Sequence, residues 1–166
     1  MDKIYTAMGL MSGTSLDGVD VSIIRSDGDK DFSVIIDKYF QYDEELTQKI
    51  LKVRNKLLNP DDLTKYQVEI KDLEREITLF HFKAVNKSLE LSKSDVDLIG
   101  FHGQTMFHAP EKKITKQLGD GLLLSQLTKK KVIYNFRQND LENGGQGAPL
   151  APVSYTHLRA HETLPY

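Results

Sequence analysis

Between positions 63 and 84, Leu63, Tyr66, Ile70, Leu73, Ile77, Phe80 and Ala84 fall at alternating steps of three and four. A helix of 3.6 residues per turn brings all of them to one face, so a long rod must lie against a sheet or against another helix. The stripe reads as core or interface rather than as a ligand site. Its start is marked by Asn59-Pro60-Asp61-Asp62: a cap, a proline at the first helical position, and two acids at the positive end of the helix dipole. Just before it, Leu46, Ile50, Val53 and Leu57 give residues 43–58 the period of one further helix.

A sheet face or the preceding helix could serve as the rod's partner. Residues 4–10, 19–25 and 32–40 are rich in β-branched and aromatic side chains, and the spacer SDGDKD separates the second from the third, so three antiparallel strands are expected. Downstream, residues 97–101 read as a short buried strand, 121–128 as a helix and 132–136 as a last strand ending in RQND. The order β-β-β-α-α-β-α-β makes a mixed α/β domain, with antiparallel N-terminal strands and flanking helices and without an internal repeat.

With 166 residues the chain can build one ordinary domain but not a large two-lobed enzyme. A net charge of −2 exerts no long-range pull on nucleic acid or an anionic membrane, and the basic run at 128–131 is short enough to be a solvated helix end. The absence of cysteine excludes disulfides and thiolate metal sites. No basic-then-apolar leader opens the chain and no apolar run reaches membrane-spanning length, so the expectation is a cytoplasmic protein.

The loop between the first two strands carries the first chemical signal. GLMSGTSLDGVDVSII, residues 9–24, packs glycines, hydroxyls and two aspartates into a tight turn. Such a turn can aim several backbone N–H groups and hydroxyls at phosphate oxygens, with Gly13 and Gly18 permitting close approach. Asp17 and Asp20 would repel a bare phosphate, so they fit only if a divalent cation sits between them and the anion, directly or through water. That pattern points to a magnesium nucleotide. The same spacing equally suits a hairpin whose Asp and Ser bond only their own backbone, and no Walker-type GK[ST] follows.

Two further clusters are polar where a strand ends. GFHGQTMFH, residues 100–108, sets His102 and Gln104 beyond a buried strand, the place where α/β sheets carry ligands. A single histidine there also suits a satisfied structural role; the pair flanked by Gly100 and Gly103 looks like hydrogen-bonding equipment for a polyhydroxylated ligand. In NFRQNDLENGGQGAPL, residues 135–150, Arg137 and Asp140 precede Gly144, Gly145 and Gly147, a glycine density that close approach or positive φ would explain. Asp140 is the candidate base, with an Asx turn or helix cap as its other reading.

Taken together, MSGTSLDGVD, FHGQT and FRQNDLENGGQGAPL resemble the N-terminal part of the anhydro-N-acetylmuramic acid kinases, bacterial cell-wall recycling enzymes of the sugar-kinase and actin superfamily. The resemblance spans about residues 4–152. It implies a ribonuclease-H-like lobe, followed in the parent by a second lobe, with ATP and sugar in the cleft between them. It implies cleavage of the 1,6-anhydro ring with water while O6 is phosphorylated, giving N-acetylmuramic acid 6-phosphate and ADP. Carried over by position, Gly13, Thr14, Ser15, Leu16, Asp17, Gly18, Val19 and Asp20 form the ATP phosphate segment, with Mg2+ held near Asp17 and Asp20. Asp140 matches the aspartate that activates the attacking water. His102, Gln104 and Arg137 would orient the sugar. Family members tend to form homodimers, which a truncated lobe need not do. Two other readings stay open: a related phosphotransferase with a different acceptor, and a non-enzymatic sugar- or nucleotide-binding domain.

This sequence departs from the pattern in two places. Asn135 stands where many relatives have an aspartate before the Phe136-Arg137 pair, and the second lobe is missing, so little or no kinase activity is expected of this chain alone. The severed face is also expected to expose apolar surface and to favour association. The tail needs separate treatment. Residues 153–163, VSYTHLRAHET, back-translate into a frame of a common transposase-type sequencing adapter. We therefore expect 1–152 to be the natural lobe and 153–166 a foreign tail, which removes His157 and His161 as metal ligands.

Overall fold

The computed structural model describes residues 3–147; residues 148–166, including the adapter-like stretch, lie outside them. Three strands open the chain, β1 (Tyr5–Ser12), β2 (Gly18–Ser26) and β3 (Phe32–Gln41), paired antiparallel as expected. Two helices follow, α1 (Glu44–Arg54) and α2 (Pro60–Lys65), and then the long α3 (Gln67–Ser92). The chain continues through β4 (Leu98–Ala109), β5 (Ile114–Leu118), α4 (Gly121–Thr128), β6 (Lys131–Ile133) and α5 (Phe136–Glu142).

The sheet runs β3-β2-β1-β4, and both β5 and β6 pair with β4. β6 lies parallel to the first part of β4, through Leu98–Lys131, Ile99–Val132 and Gly100–Ile133, while β5 lies antiparallel to the second part. With β1 also parallel to β4, the order β3-β2-β1-β4-β6 is that of a ribonuclease-H-like lobe of the sugar-kinase and actin kind. Three parallel strands, β1, β4 and β6, thus deliver their C-terminal ends to one end of the sheet.

Helix α3 covers one face. Strand alternation turns Met8 and Leu10 of β1, Val21 and Ile23 of β2, and Ile99 and Phe101 of β4 inward, where Ile70, Leu73, Ile77 and Ala84 meet them. Fully burying a side chain such as Ile77, at 0% exposure, contributes about 1.5–3 kcal/mol. The long rod expected from Asn59 is broken in two. Asn59 and Asp62 form a reciprocal capping box, and α2 ends at Tyr66, whose φ of −104° and ψ of 21° leave the helical region before α3 begins.

The remaining differences from expectation lie after residue 101. The strand expected to stop there runs on to Ala109 and turns through Pro110–Lys112 into β5, a short polar strand that shows no apolar run. The strand expected through residue 136 ends at Ile133, because Asn135 adopts a left-handed conformation (φ 62°) that turns the chain into α5. Arg137 and Asp140 therefore project from a helix. That helix sits on the face opposite α3, where the Phe136 ring packs over Gly100, 3.7 Å from the point a Cβ would occupy.

Candidate functional site

The β1–β2 loop is held from below at three points. Gln104 Nε2 donates to the carbonyl oxygen of Gly13 at 2.6 Å, and the Tyr42 backbone N–H donates to the Asp17 carbonyl at 2.8 Å. Between them Leu16 is pushed into the core, 2% exposed, although its φ of 61° lies in the region disfavoured for a branched side chain. Thr14, Ser15 and Asp17 are left exposed at the rim, with the Ser15 hydroxyl donating to Asp17 Oδ1. Gly18 is required by space, since a Cβ there would collide with the Phe40 carbonyl and the Tyr39 ring.

Val19 is buried and Asp20 exposed, so Asp20 projects from the face away from α3. Partial burial, then the charges of Asp17 and Asp37, raise its carboxyl pKa above the ordinary value. Like charges that disfavour one another's ionisation favour a cation between them. Among the described residues no group of three or more His, Cys, Asp or Glu forms a metal cage. Two carboxylates beside a phosphate-type loop fit a hard ion that keeps its water and shares phosphate oxygens, which is magnesium's habit.

His102 and Gln104, two apart, lie on opposite faces. Leu10 pairs with Phe101 and Ser12 with Gln104, so β4 carries one extra residue at this level, and Gly103 takes the positive φ of 74°. A Cβ on Gly103 would overlap the Leu118 carbonyl, which reserves the place for glycine. Gln104 turns toward α3 and is fully buried, with its amide on Gly13 and Tyr42 Oη 3.4 Å from its Oε1.

His102 turns the other way, to α5. Its Nδ1 bonds the Gly103 carbonyl at 2.6 Å, so Nδ1 carries the proton, and Nε2 accepts from Arg137 Nε at 2.7 Å. Burial first, and the Arg137 charge as a smaller cause, hold its pKa below the ordinary histidine range and keep it neutral. Arg137 Nη1 donates to the Gly147 carbonyl at 2.8 Å, and Gly147 N–H donates to Asp140 Oδ2 at 2.7 Å. Burial lowers the Arg137 pKa, and no described carboxylate forms a salt bridge with it. Asp140 is half-buried, and no described residue donates to its Oδ1.

No hydrogen bond joins Asp140 directly to residues 13–20 among the described residues. They are linked through β4: Gln104 grips the loop on one face, His102 grips Arg137 on the other, and only Gly103 separates them. Sequence reasoning passed over Ser12, Tyr42 and His81, which are all buried behind the loop. A signal was present, because Ser12 continues the inward alternation of Met8 and Leu10, and His81 lies one turn beyond Ile77. A polar residue at a core position calls for a partner.

No helix among the described residues is long and apolar enough to cross a membrane. The sequence model of the family "Anhydro-N-acetylmuramic acid kinase" matches residues 5–164, continuing past Pro152 into the adapter-like stretch. A protein of that name from Pelagibacter ubique (strain HTCC1062) is 54% identical over 95% of this chain and 42% of its own length. One from Agrobacterium fabrum is 41% identical over 97% of this chain and 44% of its own, and one from Gluconobacter oxydans 41% identical over 96% and 44%. The chain thus spans less than half the length of these relatives. With the loop, the FHGQT strand and the glycine-rich segment after α5 in one ribonuclease-H-like lobe, it belongs to the anhydro-N-acetylmuramic acid kinase family.

Proposed function

We propose that residues 1–152 are the N-terminal lobe of an ATP-dependent kinase that opens the 1,6-anhydro ring of anhydro-N-acetylmuramic acid and phosphorylates O6. The observation that carries this reading is the delivery of two unlike devices to one end of the sheet. One is a hydroxyl-bearing loop with its backbone pinned from behind, and the other is a carboxylate fixed at Oδ2 with Oδ1 unclaimed by any described donor.

In this reading Asp140 accepts a proton from water as the water oxygen bonds to C1. The C1–O6 bond breaks, O6 keeps its electron pair, and it takes the γ-phosphoryl group of ATP, leaving ADP. One base thereby serves both bond changes. Thr14 and Ser15 would contact the phosphates, and Asp17 and Asp20 would hold Mg2+, which when bound neutralises phosphate charge. His102 and Arg137 would orient the sugar, with Arg137 also fixing the glycine-rich turn through Gly147. Gln104, already spent on Gly13, would act through the loop.

The second lobe of the complete protein would build the other half of the cleft, so the lobe taken alone would turn over little or no substrate. The complete protein would work in cytoplasmic cell-wall recycling and pair as a homodimer; residues 153–166 would be a foreign tail. The test uses the full-length protein that carries this lobe, with ADP release measured on the anhydro sugar, on other amino sugars and on acetate. Asp140→Asn should lower turnover at least a hundredfold while ATP still binds. Unchanged turnover in that variant, or turnover on acetate alone, would refute the assignment.

A further inference from the structure

Behind the loop, four polar side chains from four parts of the chain are buried in an otherwise apolar core. His81 of α3, Ser12 of β1 and Gln104 of β4 are 0% exposed, and Tyr42, between β3 and α1, is 4% exposed. Three of them share a directed set of bonds, from Tyr42 through Ser12 to His81. His81 Nδ1 donates to the Ile77 carbonyl at 2.8 Å, which leaves Nε2 to accept from the Ser12 hydroxyl at 3.0 Å. Ser12 Oγ, its own proton given to His81, accepts from Tyr42 Oη at 3.1 Å, and Tyr42 Oη packs 3.4 Å from Gln104 Oε1. The Gly13 carbonyl, which can only accept, lies 2.6 Å from the amide nitrogen and fixes the amide with its NH2 group toward the loop and Oε1 toward Tyr42.

Burying this many polar atoms stabilises a fold only when all are paired, and apolar replacements would fill the same space at less cost. The set has one output toward the rim, the bond to the Gly13 carbonyl. In a trans peptide C=O and N–H point opposite ways, so a carbonyl drawn inward drives the N–H of the next residue outward. The next residue is Thr14, exposed at the centre of the loop.

We propose that Gln104, backed by Tyr42, Ser12 and His81, is a positioning residue that turns the Thr14 backbone amide out toward a phosphate oxygen. The inference rests on reading residues 13–20 as the phosphate-binding segment. It assigns Gln104 a role in nucleotide affinity rather than in contact with the sugar.

The test is NMR on the full-length protein that carries this lobe, labelled with 15N-threonine, without ligand and then titrated with magnesium ATP. Gln104→Met keeps the length and removes the donor. We expect its Thr14 amide resonance to move and its magnesium-ATP affinity to fall roughly tenfold. Tyr42→Phe should move Thr14 in the same direction but less, and serves if Gln104→Met does not give a dispersed spectrum. Val53→Ala, which loosens the core away from the loop, should move neither quantity. A Thr14 amide that stays in place in the folded Gln104 and Tyr42 variants would overturn the inference. A full-length wild-type protein whose Thr14 ignores magnesium ATP would overturn the phosphate reading instead, since the ligand-free comparison tests the peptide's orientation by itself.

Discussion

Arg137 Nε donates to His102 Nε2 at 2.7 Å while His102 Nδ1 donates to its neighbour's carbonyl, so the imidazole has a place for one proton only. A second proton would set N–H against N–H beside a guanidinium. Burial is the larger cause of the lowered pKa and Arg137 the smaller. In an NMR titration His102 should therefore ionise below the usual value of about 6.5. Arg137→Gln should raise that midpoint yet leave it short of 6.5, since the desolvation remains. A midpoint unmoved by the substitution would mean that the pair does not persist in solution.

His81 offers a second acid-sensitive point. Burial pushes its pKa down to about 4. Above about pH 6.5 the ring is neutral in the folded and unfolded chain alike, and stability is unaffected. As pH falls from there to about 4, the unfolded chain takes up a proton that the folded chain refuses, so stability drops across that window and no further below it. The loss is on the order of 3 kcal/mol. His81→Gln, which can keep a donor and an acceptor, should be less stable near neutrality but lose less on acidification. Urea midpoints at about pH 7.5 and pH 4.5 check this, and parallel losses in the two proteins would contradict it.

Leu16 combines a buried side chain with a left-handed backbone, so the usual advantage of alanine over glycine should vanish there. Leu16→Ala loses the buried methyls at a cost of about 3 kcal/mol and keeps the unfavourable φ. Glycine also loses the buried Cβ, about 0.8 kcal/mol, and costs roughly 0.5–1 kcal/mol in chain entropy, but it releases about 1–2 kcal/mol of backbone strain, which offsets both. Denaturant unfolding should place Leu16→Gly within about 0.5 kcal/mol of Leu16→Ala, where an ordinary buried site would favour alanine by about 1 kcal/mol or more. Glycine the less stable of the two by about 1 kcal/mol would show that the loop relaxes out of this conformation.

The layout of the first half was legible because each signal was local. Alternation marked β1 to β3, the Asn59-Pro60 cap marked α2, and the three-four stripe found the face that α3 buries. The spacing of FHGQT, in contrast, could not show that Gly103 would form a bulge and send His102 and Gln104 to opposite faces; that depends on register against β1 and β5. α5 was hidden in the same way. Its residues carry no apolar stripe, and its start depends on the left-handed Asn135, which asparagine tolerates but does not require. The three loop motifs were visible, whereas the pairing of His81, Ser12, Tyr42 and Gln104 was not, because they come from α3, β1, the β3–α1 connection and β4.

Gly145 supplies the sharpest test of how Asp140 is held. The glycine is exposed, so space in the core does not require it, yet a Cβ built there would overlap the Asp140 carboxylate. Its N–H also bonds the Asp140 carbonyl at 2.8 Å, so the turn cannot simply swing away. Gly145→Ala must therefore rotate the carboxylate off Gly147 N–H or open the turn. For the full-length protein we expect turnover to fall roughly a hundredfold, approaching the loss of the base itself, with ATP affinity held. Because the site is at the surface, stability should change by less than about 1 kcal/mol. ADP-release kinetics beside thermal melts separate the two effects: normal turnover in a well-folded Gly145→Ala protein would mean that the orientation of this carboxylate does not govern the chemistry.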